Sequence, residues 1–250
     1  MTVAPGPLKS VTRRGIRWRE GSFPVEMRTP MSRQSAPRII SSDDDIRVAM
    51  RSLRRRCAAM RRAHDLAGDP PLRLRAPGLE GLARIVVGQQ VSVASADAIW
   101  RRLSERVKPF EARSILDLGE VELRACGLSG PKFRTLAAIA RAVEEKTLDL
   151  SALGTLREED VRERLTAVSG IGPWTADIFS MFCLGRADAF APGDLALQEA
   201  ARLVLDLDER PRSSELEEIA LRWRPWRSVA ARMLWAYYRV ARSASSGAPA

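Results

Sequence analysis

Residues 168–177 read VSGIGPWTAD. Glycines at 170 and 172 permit a tight turn with positive φ and put no side chain in the way. The amides of the turn can therefore point outward together, at the start of a helix beginning near Pro173. Convergent N–H groups at the positive end of a helix make a phosphate site that reads charge and spacing and ignores base sequence. A bare glycine turn is also an ordinary connector between helices, and the local pattern leaves both uses open. Gly88-Gln89-Gln90 poses the same choice, between a surface elbow and a tip aimed at a ligand. Asp194 follows Pro192-Gly193 and reads, from its neighbours alone, as a helix N-cap.

Metal chemistry finds little to work with. Cys57, Cys126 and Cys183 stand far apart, no CxxC occurs, and His64 is the single histidine. A four-cysteine iron–sulfur cluster is excluded and a zinc site is unsupported. The cysteines read as reduced core residues and His64 as a surface or capping residue.

The elements that must position these residues are helical nearly everywhere from residue 43 onward. Ser42 with Asp45, Thr155 with Glu158 and Ser214 with Glu217 each fit a capping box, which predicts helix starts near 43, 156 and 215. Phe133, Leu136, Ala140 and Val143 form one apolar stripe at helical spacing. Trp226, Val229, Met233, Tyr237 and Val240 form another. Residues 78–107 divide into two helices at Gly88-Gln89-Gln90, with Ser92 capping the second. A loose helix–turn–helix echo links residues 124–140 to 165–181.

The 250 residues, 45% hydrophobic, allow one large domain or two modest ones. No run of eighteen apolar residues and no apolar signal core occurs, so the expectation is a soluble cytoplasmic protein with no membrane partner. A formal charge of +10 favours a polyanionic partner. Residues 1–40 hold eight Lys or Arg against Glu20 and Glu26, so +6 of that charge lies in a Pro-, Ser- and Arg-rich leader expected to be disordered.

Four stretches then carry a resemblance: IVVGQQVSVASADAIW at 85–100, LTAVSGIGPWTA at 165–176, FAPGDLAL at 190–197 and WRPWRSVAARMLW at 223–235. In this order, within residues 40–240, they resemble the helix-hairpin-helix DNA glycosylases, and among them the DNA-3-methyladenine glycosylase II group that removes alkylated purines. The resemblance implies an all-α, two-lobed helical bundle with a DNA- and base-binding cleft between lobes. One lobe would combine 40–77 with 188–242 and the hairpin lobe would span 78–187, with a disordered leader over 1–39 and a disordered tail over 243–250.

It also implies roles. Asp194 becomes the catalytic carboxylate, stabilising a sugar with oxocarbenium character or orienting the water. Glycoside hydrolases use two carboxylates because their leaving oxygen must be protonated, whereas a 3- or 7-alkylated purine is already cationic and departs neutral. One aspartate suffices. Trp174 stands where relatives with lyase activity place an imine-forming lysine, which implies a monofunctional enzyme. Lys132, behind the earlier turn, reads as a solvated or phosphate-facing lysine.

Trp174, Ile178 and Trp235 match the base pocket, with Ile178 where some members carry tyrosine. Gln90 matches the wedge that fills the gap left by a flipped nucleotide, and Gln89 lies beside it. Gly170, Ile171, Gly172 and Thr175 match the phosphate contacts. The carbonyls of Thr166, Val168 and Ile171 would hold a structural cation of the Na+, K+ or Mg2+ type, and catalysis would need no cofactor. The implied partner is double-stranded DNA with damaged bases, bound by a monomer. Two alternatives stay open: a glycosylase for deaminated or mismatched bases on the same fold, and a non-catalytic module for damaged DNA. Trp174 argues against the lyase branches and the missing cluster cysteines against the adenine-mismatch branch. The PGD context of Asp194 argues against the module.

Overall fold

The computed structural model describes residues 10–13, 16–19 and 37–246. Two short strands, β1 (Ser10–Arg13) and β2 (Ile16–Arg19), pair antiparallel with Val11 opposite Trp18. The helices are α1 (Asp43–Arg56), α2 (Ala58–Ala67), α3 (Leu79–Gly88), α4 (Val93–Arg106), α5 (Ala112–Ala125), α6 (Gly130–Glu144), α7 (Glu158–Thr166), α8 (Pro173–Phe182), α9 (Leu195–Leu205), α10 (Ser213–Ala220) and α11 (Arg227–Ser246). The fold is all-α. No helix among the described residues is long and apolar enough to cross a membrane.

The chain forms two compact units. Among the described residues the first takes 40–72 and 190–246, and the second takes 73–189 with the lead-in 37–39. In the first unit α11 packs on α1, α2 and α9. Its interior holds Met50 and Leu53 from α1, Met60 from α2, Leu197 and Ala201 from α9, and Val229 and Met233 from α11, all buried. In the second unit α5 packs on α6, and α3 on α4, α6 and α8. Val87, Trp100, Leu103, Leu123, Leu136 and Ala140 form its core, with Phe133 and Val143 half-buried against them.

Several expectations are corrected. The leader is not unstructured at residues 10–13 and 16–19, where β-favouring residue types (Val, Thr, Ile, Trp) pair as strands. The rest of residues 1–36 lies outside the described residues. Residues 243–246, expected in a disordered tail, continue α11. Residues 73–77, expected with the first lobe, belong to the second unit, where the Arg75 amide donates to Phe182 O at 2.8 Å.

The box on Ser42 and Asp45 is present, and Ser92 accepts from the Ser95 amide at 3.2 Å. The other two boxes are displaced. Helix α7 starts after Arg157, and the Thr155 hydroxyl donates back to Ala152 O within a 3₁₀ turn. Helix α10 starts after Arg212, whose amide donates to Glu215 Oε2 at 2.8 Å, so glutamate rather than serine closes that turn. Trp226 precedes α11 instead of lying on it, and Val240 at the far end of the expected stripe is exposed.

Candidate active site and nucleic-acid interface

Asp194 is the N-cap of α9. Its Oδ1 accepts the Leu197 amide at 2.9 Å and the Trp235 indole N–H at 3.2 Å. Both side chains are half-buried. The segment ahead of the cap is fixed as well, because Gln198, buried in the first turn of α9, donates its amide to Pro192 O at 2.9 Å. A carboxylate held by a backbone donor and an indole keeps one direction, which is what electrostatic stabilisation of a developing cation requires.

The second unit carries the hairpin, α7 and α8 joined by residues 167–172. Gly170 has φ +88°, and a Cβ built there would lie 2.0 Å from Thr135 Oγ1 on α6, so glycine is needed both for backbone conformation and for close approach. Gly172 differs from expectation. It sits at φ −93°, ψ 171° as the N-cap of α8, with nothing within 4 Å of a Cβ placed on it. Its role rests on open space rather than on positive φ. The amides of Gly170 and Gly172 carry no hydrogen bond among the described residues.

The two other expected phosphate donors are turned inward. The Ile171 amide donates to Val168 O at 3.0 Å, closing the turn on itself. Thr175 is 2% exposed, its amide donates to Gly172 O, and its hydroxyl accepts from Gln89 Nε2 at 2.8 Å. Of the carbonyls assigned to a structural cation, Val168 O thus already accepts one hydrogen bond, leaving a second lone pair, while those of Thr166 and Ile171 accept no backbone hydrogen bond. Among the described residues no cluster of three His, Cys, Asp or Glu side chains could hold a metal.

Gln89 and Gln90 separate in the same way. Gln89 is half-buried and bonded to Thr175, whereas Gln90 is exposed, with φ +53°. Lys132 is half-buried and reaches inward rather than standing free in solvent. Its Nζ donates to Val87 O in the last turn of α3 at 2.8 Å, and burial pulls its pKa below the ordinary lysine range. Trp174 is half-buried at the start of α8, and Ile178 one turn later is buried. Burial raises the Cys183 thiol to about 12, and Cys126 is also buried and raised. Cys57 is no core residue; it is half-buried at the break between α1 and α2. His64 lies between Arg54 and Asp69, with its Nδ1 2.6 Å from the guanidinium and its Nε2 2.7 Å from the carboxylate.

Two buried charged groups of the second unit escaped the sequence reading. Asp177, 3% exposed, pairs with Arg162 at 2.6 Å and ties α8 to α7. An acid inside the apolar run PWTADIFSMF was the available signal, since a buried charge needs a partner. Arg186, 3% exposed, donates Nη2 to the carbonyls of Leu153, Gly154 and Leu156 at 2.7–3.0 Å. Nothing local marks it.

Residues 83–225 match the HhH-GPD superfamily base excision DNA repair protein family, and the chain belongs to that superfamily, in its 3-methyladenine glycosylase group. DNA-3-methyladenine glycosylase 1 of Schizosaccharomyces pombe is 31% identical over 160 residues, covering 62% of this chain and 70% of the relative. The probable bifunctional transcriptional activator/DNA repair enzyme AlkA of Mycobacterium tuberculosis is 33% identical over 192 residues, covering 68% of this chain and 38% of that protein. Curated relatives are thus matched over anything from 38% to 76% of their own length. Among solved structures, the S. pombe 3-methyladenine DNA glycosylase in complex with abasic DNA superposes with a TM-score of 0.70 at 28% identity, covering 75% of this chain and 95% of that one.

Proposed function

We propose that this protein is a monofunctional DNA glycosylase that extrudes alkylated purines from duplex DNA and hydrolyses their N-glycosidic bond in base excision repair, with Asp194 as the catalytic carboxylate. The observation that carries the reading is the Asp194 side chain itself, capping α9 inside the PGD sequence and receiving the Trp235 indole N–H.

As the bond between C1′ and the purine nitrogen breaks, its electron pair goes to the cationic base, which leaves neutral. The sugar is left with oxocarbenium character, which the carboxylate stabilises. Water then adds to C1′ and releases a proton. No general acid is required, because the leaving group brought its own positive charge. The exposed amides at Gly170 and Gly172 suit a DNA phosphate. The indole of Trp174 suits stacking on a cationic purine. An imine mechanism is disfavoured because Trp174 has no amine and Lys132 is committed to Val87 O. The carbonyls of Thr166, Val168 and Ile171 would hold a hard structural cation, whose chemistry would be charge neutralisation near phosphate. We place the enzyme, acting as a monomer, with nucleoid DNA in the cytoplasm.

The test is release of 3-methyladenine and 7-methylguanine from methylated duplex. Asp194→Asn should lower single-turnover release by roughly 10²–10³-fold. The asparagine keeps an Oδ1 acceptor for both donors, so melting temperature should hold. Borohydride should trap no covalent enzyme–DNA adduct. Wild-type protein that binds methylated duplex without releasing any base would instead be a damage-binding module.

A further inference from the structure

Gln89 and Gln90 are neighbours in sequence, yet the structure gives them opposite surroundings. We propose that Gln89, with Thr175 and Lys132, is a positioning residue that braces the turn carrying Gln90 against the phosphate-binding hairpin, so that the plug and the phosphate grip move as one body. This rests on the reading above, in which Gln90 fills the gap left by an extruded nucleotide.

The contacts close into a circuit within the second unit. Gly170 of the hairpin is pressed onto Thr135, whose Oγ1 would lie 2.0 Å from a Cβ at that position. One turn earlier on the same face of α6, Lys132 Nζ donates to Val87 O at 2.8 Å. That carbonyl is one of the unpaired acceptors at the C-terminal end of α3. Two residues later Gln89, the C-cap of α3, donates its side-chain amide to Thr175 Oγ1 at 2.8 Å, on the first turn of the hairpin helix α8. The circuit returns to the hairpin at Gly172, whose carbonyl accepts the Thr175 amide at 3.0 Å.

What the circuit holds is a strained residue. Gln90 has φ +53°, a left-handed conformation that non-glycine residues adopt infrequently. Such conformations persist where the surroundings over-determine them. The clamps at Val87 and Gln89 hold the chain that enters this residue, and they leave the Gln90 side chain in solvent. A plug on a loose turn would enter the duplex at a variable distance from the gripped phosphate. A braced one enters at a fixed distance, and less conformational freedom is lost on binding.

The experiment compares affinities for two fluorescent duplexes, one plain and one carrying a tetrahydrofuran abasic analogue opposite 2-aminopurine. The quantity of interest is their ratio, with 2-aminopurine emission reporting insertion. Gln90→Ala should lower the ratio about tenfold and Gln89→Ala about fivefold, the size expected for one hydrogen-bonded contact. Thr175→Val should behave as Gln89→Ala, Thr175→Ser should restore the ratio, and Lys132→Met should lower it about threefold.

The decisive measurement is the double variant. If Gln89 acts through Gln90, adding Gln89→Ala to Gln90→Ala should change nothing further. An undiminished effect of Gln89→Ala in the Gln90→Ala background would overturn the proposal, as would equal losses on both duplexes, the signature of a purely structural contact. Base release is measured in parallel. Coupling between the glutamines without release overturns the glycosylase reading alone, and release without coupling overturns this inference alone.

Discussion

The two glycine turns of the second unit begin from the same sequence idea and end differently. Each has a glycine at positive φ, Gly127 at +98° and Gly170 at +88°, and each leads through Gly-Pro into a helix, α6 or α8. At the first turn the protein covers its own backbone. Arg102 Nε donates to Cys126 O at 2.9 Å, its guanidinium fills the space over Gly127, and Lys132 just behind bends away to Val87 O. At the second, Gly170 is buttressed from beneath by Thr135, while Gly172 looks into open space with an amide that has no partner among the described residues. The pattern specifies a bend. What lies over the bend decides whether it is scaffold or binding surface.

Alanine substitutions test that difference. The largest effect should come from Gly170→Ala, where positive φ combines with overlap against Thr135 at 2.0–3.0 Å. A loss of about 3 kcal/mol, or roughly 6–12 °C in melting temperature, is expected. Adding Thr135→Ala should recover part of it, since Oγ1 and Cγ2 go while Cβ stays. Next comes Gly127→Ala. Its nearest obstacle is the far end of the Arg102 side chain at 2.7 Å, which can swing aside, so the cost should be about 1–2 kcal/mol by thermal melting, mostly backbone strain. DNA affinity should hold once the variant is folded.

Gly172→Ala should change stability least, within about 0.5 kcal/mol, because its φ is ordinary and no atom stands in the way. Its effect should appear in binding: a methyl beside the exposed amide should weaken plain-duplex affinity about threefold, measured by fluorescence anisotropy. Gly127→Ala weakening DNA binding more than Gly172→Ala would reverse the assignment of scaffold and surface.

Residues whose partners lie within a few positions were legible from sequence. Ser42 with Asp45, the Ser92 cap and the Asp194 cap are local hydrogen bonds, and residue type with spacing suffices to read them. Local reading slipped where several polar residues compete for one helix start, as at Arg212, where Glu215 alone closes the turn and Ser214 is not used. Partners far along the chain were beyond reach. Trp235 donates to an aspartate 41 positions away, Gln89 to a threonine 86 positions away, and Lys132 to a carbonyl 45 positions away. Resemblance supplied which residues matter, but it set Gln89 beside Gln90 without a role of its own and merged Thr175 with the glycines. Only tertiary hydrogen bonding separates the member that faces outward from the one that holds it.

The path of the chain has a consequence for how the molecule comes into being. Helices α1 and α2 bury Met50, Leu53 and Met60 in a unit whose other half is α9–α11, and residues 73–189 are synthesised between those halves. A nascent chain that has reached residue 189 therefore carries every helix of the second unit beside two amphipathic helices still awaiting their cover. Transiently exposed apolar surface of this kind is what chaperones bind and what drives aggregation. Overproduction should be limited by that interval of translation more than by the stability of the finished protein.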